Sequence, residues 1–481
     1  MKFFDSVLME FRGCFTRKKA FAWFVVIVAG IMARSDSLGV TSVMRSLLID
    51  PSHYVPLLAF FRSNAWSLDT LVMAWCAIVC KYAPIVRYNG AAVLPADGMK
   101  KMIEGRRMPG AKKLHQESEN SGKQPYIWGH MFGAVGVLAV TGSKCFCIPL
   151  AITLQDGVRK IFGWGAGKGA EKERQGSHVV ELVQLAHRVA AAFGRALALM
   201  DSLYLSVPAL KMLDLLNSSG QLMHVITRAK KNCKAFLDPP PKPPGSRGRP
   251  RKKGDSVKLA CLFESEASRF TEAVVRLYGR KEAVYYYCVD MLWGAKLYKK
   301  LRFVLTVRGG ARTILVSTDL TIDPVDIIEL YGRRFKVECM FREMKQSVCA
   351  FRYRFWSKLM PKLSKRRKQN DPDPLESVTD AEAREAIKKT VKATEGYVFC
   401  GAVATGLLQM ASLLFSSTPE FTKLRYLRTR RNDIESEATV GDYLRRNILI
   451  LLLRNADLDI SKIIIERQIK EYNCGYHQKV S

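Results

Sequence analysis

The sequence predicts an α/β protein with helical ends, and three observations carry the prediction. Apolar, strand-like runs alternate with amphipathic stretches between Ile85 and Arg228, more strand-like runs follow a proline-rich linker, and both ends are patterned as helix. A chain of 481 residues exceeds one ordinary core, so several domains are expected. We place a helical N-terminal domain at 1–84, the first part of the core at 85–228 and a β-rich insertion with a basic linker at 229–316. Residues 317–360 complete the core, and 361–481 form a helical C-terminal region.

The N-terminal region is apolar and aromatic, with turn signals at Asp36-Ser37 and Asp50-Pro51-Ser52. Its run Ala20 to Ala33 has 14 residues between Arg17-Lys18-Lys19 and Arg34. A membrane span needs about 20 residues and a secretory signal needs a cleavage site, so a buried helix is expected. Leu38 to Leu47 admits either a helix-turn-helix or plain core packing.

The core begins with strands at Ala91 to Ala96, Met131 to Thr141 and Cys145 to Leu154. A helix from Val179 to Phe193, a strand from Ala196 to Met200, a helix from Pro208 to Asn217 and a strand from His224 to Thr227 follow. The order β-β-β-α-β-α-β is that of an RNase H-like fold. Gly165 to Gly169 is no phosphate-binding loop, because Phe162 stands where the first glycine belongs and Gly169 where Ser or Thr belongs. Pro239 to Gly245 opens an extended linker that runs into the basic stretch Arg247 to Lys253. Strands at Tyr285 to Leu292, Leu301 to Val307 and Thr313 to Ser317 lead to a helix carrying Tyr331 to Gln346. Beyond Phe351 to Trp356 a basic linker, Lys362 to Lys368, precedes helix from Glu376 onward.

The net charge of +32, with a pI near 9.8, describes a partner of the opposite sign. Nucleic acid is the first reading and an anionic membrane surface the second. Twelve cysteines show no Cys-x2-Cys pair, and the near neighbours Cys76/Cys80 and Cys145/Cys147 read as buried thiols before they read as metal ligands. Reduced thiols suit an intracellular compartment.

The most informative pattern is Tyr331-x2-Arg334-x3-Glu338-x6-Lys345. On one continuous helix the four side chains fall within an arc of roughly 60°. Leu330, Val337, Met340, Phe341 and Met344 form a core-facing stripe beside them. An Arg334–Glu338 pair on a solvated face is the plain alternative. From 17 Tyr, 76 Lys+Arg and 44 Asp+Glu, about 0.04 such matches are expected by chance.

This spacing resembles the Y-R-E-K signature of insertion-sequence transposases, which cut and paste DNA with a DDE carboxylate triad. The resemblance covers about Ile85 to Trp356. It implies an RNase H-like catalytic core whose insertion lies between the second Asp and the Glu. Glu338 takes the third place in the triad, and Asp97 and Asp201, each following a strand, take the other two. Asp97, with Pro95 in its strand and basic residues from Lys100 to Arg107 after it, is the departure from the pattern. Turn formation or helix capping is the alternative for either Asp.

Two Mg²⁺ ions, with Mn²⁺ able to substitute, are implied at Asp97, Asp201 and Glu338. Hard cations about 3.5 to 4 Å apart take such carboxylates as ligands. Water attack at the element end frees a 3′-OH, which attacks target DNA, and hairpin resolution of the second strand is implied too. Tyr331, Arg334 and Lys345 are implied to grip phosphates near the cut. Trp293 either stacks a flipped base or packs in the core. Arg247 and Arg249 either enter an A·T-rich minor groove or contact phosphates alone. Asp290 is the fallback ligand, and Asp323 before Pro324 is expected to cap the Glu338 helix. The implied partners are double-stranded transposon-end and target DNA and a second copy in a synaptic homodimer, without a membrane. The expected place is the cytoplasm, on DNA. The alternative is a transposase-derived DNA-binding protein without catalysis.

Overall fold

The computed structural model describes residues 1–116, 122, 124–164, 177–218, 220, 222–242, 249–366, 371–415 and 435–470. The glycine-rich stretch 165–169, Arg247 within 243–248 and the basic-linker residues 367–370 lie outside the described residues.

Helices α1 (Lys2–Met9), α2 (Lys18–Ala33), α3 (Val40–Ser46), α4 (Tyr54–Arg62) and α5 (Leu68–Tyr82) come first. Strands β1 (Arg87–Tyr88), β2 (Ala91–Met102), β3 (Lys112–His115), β4 (Tyr126–Thr141) and β5 (Lys144–Gln155) follow. Next are α6 (Arg159–Gly163), α7 (His178–Ala190), β6 (Ala196–Leu199), α8 (Val207–Asn217) and β7 (Met223–Arg228). The β-rich stretch holds β8 (Lys234–Phe236), β9 (Ser256–Lys258), α9 (Leu262–Ser265), β10 (Thr271–Leu277), β11 (Arg280–Trp293), β12 (Lys299–Arg308) and β13 (Ala311–Ser317). Helices α10 (Pro324–Gly332), α11 (Lys336–Gln346), α12 (Ala381–Phe415), α13 (Glu437–Arg454) and α14 (Asp459–Ile465) complete the order. The chain is α/β with helical ends, and it divides into two compact units.

The first unit comprises Met1–Ile85, Gly98–His178 and Glu338–Ser481. Its core is built on α12, whose most apolar stretch is 89% buried. Among the described residues α12 is the helix long and apolar enough to cross a membrane. Helix α2 packs on it, and every residue from Ala20 to Ala33 is buried, so the apolar run is the buried helix that was expected. Arg34 ends that helix inside the protein, donating from Nη1 to the Tyr397 hydroxyl (2.6 Å) and from Nε to the Val348 carbonyl (3.1 Å). Strand β4 pairs antiparallel with β3 and β5, and α12 covers β5. Trp75 of α5 donates from Nε1 to the Pro149 carbonyl at 2.7 Å, tying the helices to that sheet.

The second unit comprises Val86–Asp97 and Val179–Val337. Strands β2, β6 and β7 run parallel, and β13, β12 and β11 continue antiparallel from β7. The β-rich stretch therefore joins the parallel strands through the pairing Leu315↔Arg228 to Ser317↔Ile226. Caps mark the helix starts: Ser206 accepts from the Ala209 amide, and Asp323 accepts from the Val325 amide with Pro324 behind it. The cysteines among the described residues are free thiols.

Candidate active site

Parallel strand pairing brings two acids and a cation to one end of a ladder. Strand β2 pairs with β6 from Ala92↔Ala196 to Pro95↔Leu199, and Asp97 and Asp201 each follow two residues after that last pair. Strand β6 pairs with β7 up to Leu199↔Ile226, and Arg228 follows two residues after Ile226. Asp97, Asp201 and Arg228 each lie two residues past the last pair of this ladder, and all three act electrostatically on Tyr331.

Asp201 sits just beyond β6, as expected, where its backbone carbonyl accepts from the Thr227 hydroxyl at 2.7 Å. Asp97 does not close its strand, which continues to Met102. The expected boundary fails because β2 leaves its parallel partner after Pro95 yet stays extended. Lys100 and Lys101 are consequently strand residues, and Arg106 is fixed by the Leu363 carbonyl at 2.8 Å. Pro95 is tolerated for a reason visible in the ladder. The Ala92 amide donates to Arg195 toward β6, while the Val93 amide donates to Val86 on the other side. Odd-numbered residues of β2 thus face away from β6, and proline at 95 removes no bond of that pairing.

The helix bearing the four-residue signature is the second correction. It is not continuous from Tyr331 to Gln346: α10 ends at Gly332, Arg333–Phe335 form a 3-10 turn, and α11 starts at Lys336. Gly332 both weakens the helix and allows close packing, since a Cβ there would lie 2.5 Å from Leu277 Cδ2. The tighter turn shifts the rotation per residue, so the single 60° arc does not apply. The apolar stripe survives: Leu330, Val337, Met340, Phe341 and Met344 are all buried.

Tyr331 and Arg334 belong to the second unit with the two aspartates, whereas Glu338 and Lys345 belong to the first, both exposed on α11. Arg334 Nη1 donates to Asp97 Oδ2 at 2.9 Å, in a pair whose side chains are 15% and 23% exposed. Burial raises the Tyr331 phenol above its ordinary value; Asp201 and Asp97 add to the rise, and Arg334 and Arg228 oppose it. Tyr204, fully buried, is raised well above the ordinary value by burial, then by Asp97 and Asp201, against Arg334. Among the described residues no group of three or more His, Cys, Asp and Glu side chains is placed to hold a metal ion.

Trp293 ends β11 half-buried and donates from Nε1 to Cys233 Sγ at 3.2 Å. It lines a cavity of about 340 Å³ with Ser202, the residue after Asp201, and with Lys230, Asn232 and Lys234. Arg249 is exposed. Asp290 is held by Arg302 through two bonds of 2.9 and 3.0 Å. Asp323 caps α10, the helix before the 3-10 turn.

Arg228, Tyr204 and the lysines beside Trp293 went unread in the sequence. Arg228 could not be counted from the sequence, because the β6–β7 offset that leads toward it from Asp201 is set only by the folded sheet. Comparison of the chain with protein-family models, with curated proteins and with solved structures finds no match.

Proposed function

We propose that the chain is a metal-dependent DNA transposase of the DDE type, similar to the Y-R-E-K insertion-sequence group and built on an RNase H-like core. The observation that carries this reading is that Asp97 and Asp201, each two residues past the parallel β2–β6 pairing, both act on Tyr331 and Tyr204, with Arg334 of the signature paired to Asp97 in the same unit. The chain order β2, β3, β4, β5, α6, α7, β6, α8, β7, in which β2, β6 and β7 are parallel neighbours, supports the core assignment. A net charge of +32 suits a DNA partner.

Two carboxylates near the end of one parallel strand pair, Asp97 and Asp201, fit the hard-oxygen preference of Mg²⁺, and Glu338 is the third acid of the proposal. Asp97 and Asp201 would hold Mg²⁺, which would supply activation of the attacking oxygen and stabilisation of the leaving one. Arg334 orients Asp97 and brings to the acids a donor fork that matches phosphate. Tyr331, with its raised pKa, stays a phenol at neutral pH and donates to a phosphate oxygen. Lys345 adds charge along the bound strand. Trp293, beside Lys230 and Lys234, offers a face for an unstacked base. The reaction is hydrolysis at the element end and then transesterification into target DNA, carried out by a homodimer that pairs two ends.

One observation favours the reading without catalysis: Asp97 is engaged by Arg334. The two readings separate in a cleavage assay with Mg²⁺ on DNA carrying the sequences that flank the coding region. The transposase reading expects specific nicks from the wild type and none from Glu338→Gln. Equal cleavage by both proteins sinks the assignment of Glu338, and binding without cleavage by the wild type supports the inactive form.

A further inference from the structure

The first unit carries a cleft of about 750 Å³ that the proposed chemistry leaves unused. It is lined by Trp356 and Tyr54, both exposed, together with Arg62, Arg354, Lys358 and Lys389. Among the described residues lining it none is acidic. Lys389 has an ion pair at 3.7 Å with Glu385, which stands outside the lining.

The wall of this cleft is built by alternation. From Phe351 to Lys358 the odd-numbered residues Phe351, Tyr353, Phe355 and Ser357 are buried, and Arg352, Arg354, Trp356 and Lys358 are exposed. Between the turns that end at Arg352 and start at Ser357, this is the two-residue period of an extended chain, which spaces alternate side chains about 6.6 Å apart. The inward rings fix the segment: Phe351 and Tyr353 meet Phe132, while Phe355 meets Phe61 and Tyr397. Backbone bonds fix it further, with Ser357 N donating to Arg107 O (3.2 Å) and Arg62 Nη2 to Trp356 O (3.3 Å). The outward comb is thus an indole, 56% exposed, with a cation on either side along the chain.

We propose that this cleft binds single-stranded DNA, with one unpaired base stacked on Trp356 and its two flanking phosphates on Arg354 and Lys358. A duplex offers phosphates to such a comb but keeps its base faces stacked inside, so the exposed indole selects an unpaired base. The cleft's volume falls within the range of about 300 to 1,000 Å³ typical of small-ligand sites, enough for a nucleotide. The surplus of positive charge supplies the attraction to the backbone. The choice of DNA over RNA rests on the transposase reading; the preference for a single strand does not.

The test is fluorescence anisotropy of the full chain with labelled octathymidylate, octauridylate and a duplex of the same length. Trp356→Ala should weaken octathymidylate binding by about five- to a hundred-and-fiftyfold, the worth of one stacked base, and leave duplex binding unchanged. Trp356→Phe should keep most of the affinity, and Arg354→Ala with Lys358→Ala should steepen the loss. Trp356→Ala binding octathymidylate like the wild type overturns the site, and tighter binding of octauridylate overturns the choice of DNA. Failure of the transposase reading shows separately, as absent cleavage with this affinity intact.

Discussion

Breaking the Arg334–Asp97 pair tests the candidate site at its best-defined contact. The pair spans 2.9 Å between side chains 15% and 23% exposed, so it lies between two regimes. Exposed pairs are worth about 0.2 to 1 kcal/mol, and removing one partner of a fully buried pair costs about 3 to 5 kcal/mol. Water still reaches both groups, so Arg334→Met or Asp97→Asn should each cost roughly 1 to 3 kcal/mol of local stability. The double variant should cost little more than the larger single change, because the second substitution removes a group that has already lost its partner. Since a chain of two units need not unfold in one step, the assay is hydrogen exchange at β2 and β6. A loss of about 1.4 kcal/mol reads as tenfold faster exchange where opening is a rapid pre-equilibrium ahead of exchange. Exchange within twofold of wild type in both single variants, or full additivity in the double, refutes the coupling.

Two further predictions concern the first unit. His130 is buried with Nδ1 2.6 Å from the Tyr353 hydroxyl, and burial lowers its imidazole to about 4. The unfolded chain therefore takes up that proton first, so stability holds above pH of about 6.5 and falls by up to roughly 1.4 kcal/mol per pH unit toward 4. His130→Gln should show a shallower decline of the urea midpoint across that window, and equal slopes refute the assignment. At Gly30 a Cβ would lie 2.5 Å from Val43 Cγ1 and 3.1 Å from Val43 Cα, so Gly30→Ala must part α2 from α3. We expect a loss of about 1 to 3 kcal/mol, read as a lower melting temperature, whereas an unchanged melt shows that the helices separate freely.

Much of the architecture was readable because its signals are local. The apolar run Ala20 to Ala33, the strand Ala196 to Met200 and the cap Asp323-Pro324 each depend on neighbours within a few residues, and each forms close to where it was placed. The end of β2 was misjudged because Asp97-Gly98 carries a turn composition, while the pairing that keeps the strand extended lies elsewhere in the chain. The break after Gly332 was invisible for the same reason. Its packing partner, Leu277, is 55 residues upstream, and only the folded chain brings them together. Asp97 and Asp201 could be selected because each follows an apolar, strand-like run of sequence, but Arg228 and Tyr204 required the register between strands. The cleft at Trp356 needed burial itself, since alternation of aromatic and basic residues does not say which set turns inward.

We propose DNA cleavage dependent on each of Asp97, Asp201 and Glu338. The direct measurement is the Mg²⁺-dependent nicking rate on flanking-sequence DNA for Asp97→Asn, Asp201→Asn and Glu338→Gln, with DNA affinity measured on the same preparations. The account predicts that each variant keeps its affinity within a few-fold and loses nicking below detection, and that the wild type loses nicking when Mg²⁺ is chelated. Nicking by any one variant at the wild-type rate contradicts it.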